Sequence, residues 1–170
     1  NYRWRFCLLD MELGLLPNGW TDCYFDHINH MLGQDPNNPY INVWLKGMQN
    51  PRFRNYFINR FADLMNTSYK IERISAIEQS MFNQTVLEMP REYSRWGDPN
   101  NVAQQMTDFV NRHHEFQFQL SERTGQVRNH IQADLGLNGQ VEVTIDVFPA
   151  GAGTIKISTV TPDALPWTGV

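Results

Sequence analysis

The feature that most constrains this chain is a run of apolar stripes at helical spacing between Asn50 and Leu135, punctuated by cap and breaker residues. In the best-marked segment, Phe53, Phe57, Phe61, Leu64 and Met65 recur at the spacing of one helix face. Asn50 is a natural N-cap and Pro51 suits the first helical position, so a helix is expected from there to about Asn66. A shorter helix is expected over Val43 to Met48. The next should start after Ser68 and bury Ile71, Ile74, Ile77 (or Glu78), Met81 and Val86, with Pro90 kinking or interrupting it and Trp96-Gly97 ending it. Asp98-Pro99 then reads as cap and first turn of a helix burying Val102, Met106, Phe109, Val110, His113 and Leu120, broken at Thr124-Gly125. A last helix with Val127, Ile131 and Leu135 should stop at Gly136.

The two flanks differ from this core. Tyr2 to Leu9 alternates and then turns apolar, which favours a strand running into Asp10-Met11-Glu12. Leu15 to Pro39 is rich in breakers (Pro17, Asn18-Gly19, Gly33, Pro36, Asn37-Asn38-Pro39) and reads as a long functional or mobile loop. Beyond the helices, Val141, Val143, Ile145 and Val147 alternate with Glu142, Thr144 and Asp146. That pattern is a half-buried strand, and Pro149 to Gly153 supplies a turn into a return strand over Thr154 to Ser158. Thr161 to Val170 reads as an extended linker. The fold class is therefore α+β, predominantly α, with an N-terminal strand and a C-terminal β-hairpin. Residues 1–138 form one unit, and 139–170 begin a following β-module.

Composition closes off some functions. A 170-residue chain with 41% hydrophobic and 12% aromatic residues can build a core of its own. A net charge of −4 gives no basic face for nucleic acid. No apolar run approaches the length of a membrane span. Cys7 and Cys23 make no metal pattern; two free thiols is the preferred reading and a disulfide the alternative.

Among chemical constellations, Asp10 and Glu12 at a strand end come first. Carboxylates two apart share a strand face, and Mg²⁺ is held by one or two carboxylates plus substrate phosphates. The same pair also reads as a solvated strand end. Asp22, Asp26, His27, His30 and Asp35 form a second polar cluster. The His27/His30 spacing admits zinc, but loop polarity is the simpler account. His113 and His114 point about 100° apart on a helix, so His113 is expected buried and His114 exposed. Arg52, Arg54, Arg60 and Arg73 read as solvated helix faces ahead of phosphate ligands. No phosphate-binding G-x-x-x-x-G-K-[ST] loop and no G-x-S-x-G elbow is present.

Specific strings narrow this further. Asn50 through Thr67 (NPRFRNYFINRFADLMNT) resembles a helix of the CotH kinase family, the spore-coat-protein-H-like proteins. Glu88-Met89-Pro90-Arg91 with Arg95-Trp96-Gly97 is similar to that family's next helix, and Arg128-Asn129-His130-Ile131 through Gly136-Leu137 to its final one. Tyr2 to Glu12 resembles the strand leading into the family's W-D-x-D segment. The hairpin resembles a β-region that follows the domain in surface proteins of Bacteroides-type bacteria.

The resemblance implies the C-terminal helical portion of an atypical protein-kinase-like fold, using ATP and Mg²⁺ to phosphorylate protein serine. Asp10 falls on the first acidic position, so it is the implied ATP-cofactor and metal ligand, with Glu12 beside it. Leu9 stands where the motif has Trp, and Glu12 where it has the second Asp. These departures open an alternative: a non-catalytic surface or adhesion protein on a kinase-like scaffold. The resemblance further implies an extracytoplasmic location, and a nucleotide-binding lobe and substrate-orienting Asp lying upstream. On this expectation the chain is a piece of a larger protein and is inactive alone.

Overall fold

The computed structural model describes residues 21–170, and the fold is α+β and predominantly helical. Six helices come first: α1 (His27–Leu32), α2 (Pro39–Gln49), α3 (Pro51–Met65), α4 (Ile71–Thr85), α5 (Met89–Trp96) and α6 (Val102–Asp134). Two short strands follow, β1 (Val143–Ile145) and β2 (Trp167–Gly169). The expected N-terminal strand lies outside the described residues. α6 is the spine, packing against α1, α3, α4 and α5.

α3 forms as its sequence dictates. The Asn50 side chain accepts the Arg52 and Phe53 N–H groups at 2.9 and 3.3 Å, Pro51 opens the first turn, and Asn66 caps the far end. α2 starts four residues earlier than its apolar pattern suggests, because Asn38 accepts the Tyr40 N–H ahead of Pro39. Gly47 leaves room for Phe53: a Cβ there would sit 2.8 Å from its ring. Met48, Ile131 and Leu135 are buried together, with Trp44, Phe57, Phe61, Val127 and Leu137 around them. The core thus joins α2, α3 and the end of α6.

Three expectations shift, and the interruption expected at Pro90 is realised. Within the stretch read as irregular, α1 forms, capped by Asp26. α4 begins at Ile71 instead of after Ser68, because the chain first wraps the end of α3: the Tyr69 N–H bonds Leu64 O and the Thr67 hydroxyl bonds Asp63 O. Pro90, lacking an N–H, ends one helix and opens the next, so α4 and α5 are separate. Asp98-Pro99 makes a turn, with the Gln105 side chain bonded to Asp98 N and O, before α6 starts at Val102.

α6 also runs through Gly125 without a break. A glycine costs a helix about 1 kcal/mol. Leu120 before it and Ile131 after it are both buried, and each such burial contributes about 1.5–3 kcal/mol, so the helix continues. Gly136, at φ +59°, stops it. The Leu137 N–H reaches Gln132 O and the Gly136 N–H reaches Ala133 O, a Schellman closure.

The C-terminal pairing differs from the expected hairpin. β1 pairs antiparallel with β2, Thr144 opposite Thr168, with their hydroxyls 2.8 Å apart. β2 comes from the segment read as linker. Thr154 to Ser158 is instead drawn toward α3, where Ile157 and Val160 bridge across a tight turn with Ser158 at φ +52°.

Candidate functional site

Asp10 and Glu12, the implied metal ligands, and Cys7 lie outside the described residues. The described chain begins with loop 21–26, and α6 grips this loop. The Arg123 guanidinium donates to Cys23 O at 2.9 Å and Phe25 O at 3.0 Å, and Gln119 Oε1 accepts the Cys23 N–H at 2.6 Å. Cys23 is a free, fully buried thiol. Burial, and then the charge of Asp22, push that thiol above its usual range, so it is a poor nucleophile. Burial also pulls the Arg123 pKa down.

The second polar cluster is spent on local backbone. Asp22 accepts the Tyr24 N–H, Asp26 the Asn29 N–H and Asp35 the Asn37 N–H, all within 2.9 Å. His27 and His30 each lie against the Phe25 ring, at centroid distances of 4.7 and 5.5 Å. Among the described residues no group of three or more His, Cys, Asp or Glu is arranged to hold a metal ion.

His113 is buried and His114 exposed, as the helix geometry requires. His113 Nδ1 lies 2.8 Å from Glu78 Oε1, the Gln117 amide donates to Glu78 Oε2, and Phe82 stacks on the imidazole at 3.7 Å. This cluster sits in an open cleft of about 590 Å³ between α4 and α6, walled by Ile74, Met81, Phe109 and Phe116. Both Glu78 oxygens are taken, so the arrangement ties α4 to α6.

The arginines divide. Arg52 and Arg73 are exposed, as solvated faces. Arg54 caps α6 by donating to Leu135 O, and Arg60 donates to the Thr159 hydroxyl. Arg128 closes the C-terminal segment onto α3, donating to Val170 O at 2.8 Å and Asn66 Oδ1 at 2.9 Å.

Sequence reading missed Asp63. It is buried, and one of its oxygens takes the Ser158 hydroxyl, the Thr159 N–H and the Thr159 hydroxyl at 2.8, 3.0 and 2.6 Å. Its only signal was to be the sole acidic residue of α3. Glu78 and Arg123 look like ordinary surface charges in the sequence, and only their long-range partners mark them.

No helix of the described residues is long and apolar enough to cross a membrane. No curated protein sequence and no solved structure matches the chain. A family model described as CotH kinase protein matches residues 1–117, which take in Asp10-Met11-Glu12, the α3 string and the first half of α6. By that match over more than half its length, the chain belongs to the CotH kinase family.

Proposed function

We propose that this domain serves ATP- and Mg²⁺-dependent phosphotransfer to protein serine, in which Asp10 and Glu12 would hold the metal. The observation that carries this reading is the family match over residues 1–117, with the acidic pair inside it. Carboxylate oxygens are the hard donors that Mg²⁺ prefers, and two of them leave coordination positions for phosphates and water. The bound metal would supply charge neutralisation at the phosphates. In this reading α1 to α6 form the helical portion of that domain, with Arg123 and Gln119 holding loop 21–26 against α6. A nucleotide-binding lobe and a substrate-orienting Asp would come from other residues of the intact protein. We further place that protein outside the cytoplasm, on the resemblance of its C-terminal segment to surface proteins.

One observation favours a second reading. Leu9 and Glu12 replace the Trp and second Asp of the acidic motif, and the added methylene of Glu alters metal geometry. A non-catalytic binding or adhesion protein would tolerate both changes. Labelled phosphate from ATP, followed into the full-length protein and its partners, separates the two. The phosphotransfer reading expects incorporation that Asp10→Asn abolishes. Unchanged incorporation in Asp10→Asn sinks the role of Asp10, and none in the parent favours the binding protein. The 170 residues alone should bind ATP·Mg²⁺ weakly; micromolar affinity in calorimetry would contradict the division of the site.

A further inference from the structure

His113 lines the open cleft between α4 and α6 and is 9% exposed. A carboxylate only accepts hydrogen bonds, so the 2.8 Å contact of His113 Nδ1 with Glu78 Oε1 places the hydrogen on Nδ1. Nε2 is left as the open polar atom of the ring. It has no partner among the described residues and is not sealed from solvent. With Phe82 stacked on one face of the ring, what reaches Nε2 comes through the cleft. The Arg112 guanidinium lines the same cleft, likewise without a hydrogen bond or ion pair among the described residues. The other polar groups there are spent: Glu78 on His113 and the Gln117 amide, and the Thr85 hydroxyl on the Met81 and Phe82 carbonyls. The rest of the wall is apolar side chain.

The cleft is a trough. Its wall runs from Ile74 to Thr85 on α4 and from Phe109 to Leu120 on α6. At 1.5 Å per residue each side is about 16 Å long. Its volume of about 590 Å³ falls among small-ligand sites, which span about 300–1,000 Å³ and pair apolar walls with a few convergent polar groups.

We propose that this trough binds an unbranched alkyl carboxylate, a medium-chain fatty acid, with its chain along the apolar walls and its head between Arg112 and His113 Nε2. The length of the trough suits a linear chain over a compact ring. The two open groups are complementary to one acid head: Arg112 donates to its oxygens, and Nε2 takes the acid's proton or, as imidazolium, donates to the carboxylate. A cationic amphiphile would meet the Arg112 charge, and a nucleotide would leave the apolar walls unfilled. This reading rests on α4 and α6 and not on the roles of Asp10 and Glu12.

Calorimetry of the 170-residue chain with decanoate, octanoate and octan-1-ol tests it. Decanoate should bind in the sub-millimolar range, and octanoate about fifteenfold more weakly, at about fourfold per methylene. Arg112 is exposed and unbonded, so Arg112→Gln should fold normally, weaken both acids about threefold or more, and leave octan-1-ol unchanged. Met81, 62% exposed on the wall, should give a folded Met81→Glu variant that binds none of the three. The nitrogen resonance of His113 Nε2 should move on saturation with decanoate, a readout that leaves the Glu78 contact intact. Absence of decanoate binding overturns the proposal. So does an equal loss of acid and alcohol in Arg112→Gln, which would make the cleft an apolar contact surface only. A dimer in sedimentation that decanoate fails to dissociate, with Nε2 unmoved, would assign the trough to a second copy of the chain and equally overturn it.

Discussion

Asp63 offers the sharpest test of how the C-terminal segment is held. Its buried carboxylate receives three hydrogen bonds, from the Ser158 hydroxyl, the Thr159 N–H and the Thr159 hydroxyl. A hydrogen bond to a charged group contributes about 1.5–3 kcal/mol. Ser158 and Thr159 are exposed, so in a variant their hydroxyls turn to water and recover most of their share. The uncompensated part is the Thr159 N–H and the weaker acceptor left behind. Asp63→Asn should therefore cost about 2–3 kcal/mol, or a fall in Tm of about 4–12 °C. Urea unfolding followed by far-UV circular dichroism reads it as a lower midpoint at unchanged slope.

A double-mutant cycle with Thr159→Val isolates the contact, and a coupling of about 1 kcal/mol or more is expected. Strict additivity of the two changes would refute the reasoning. The pH dependence has a definite sign. Burial alone would raise the Asp63 carboxyl, but the Thr159 and Ser158 hydroxyls, the Thr159 N–H and the Arg60 charge together hold it below the usual range. The unfolded chain then binds more protons in that window, so the contribution is complete above the ordinary value and is lost as pH falls through the lowered one. The gap between wild type and Asp63→Asn should close in acid.

Other outcomes follow from the helices and the loop. Gly125→Ala should stabilise by about 0.5–1 kcal/mol, because the position is helical and a Cβ there meets nothing within 4 Å. Gly136→Ala, at φ +59°, should destabilise by about 1 kcal/mol; thermal melts of both variants check the contrast. Arg123→Met strands the Cys23 and Phe25 carbonyls, so loop 21–26 should open and Cys23 should alkylate faster. Peptide-resolved mass spectrometry of iodoacetamide labelling reads this, and unchanged protection of Cys23 would mean Gln119 alone holds the loop.

Local chemistry alone determined the elements whose start and stop signals lie within a few residues of each other. Asn50-Pro51 set the start of α3, Pro90 separated α4 from α5, and Gly136 ended α6, because capping geometry and proline sterics act over one turn. The burial of His113 followed from its place on an apolar stripe, and the strings shared with the CotH family carried membership. Tertiary structure decided what depends on distant partners. It carried α6 through Gly125, since burial on both sides outweighs one glycine. It gave β1 a partner at Trp167–Gly169 in place of Thr154 to Ser158, since Asp63 draws Ser158 and Thr159 to α3. It also set His130 against Asp26, a pairing that exists only once α1 has docked on α6. Polar residues spaced about a hundred positions apart leave no periodic trace in a sequence; their meaning arises from the low dielectric and lost water of the packed chain.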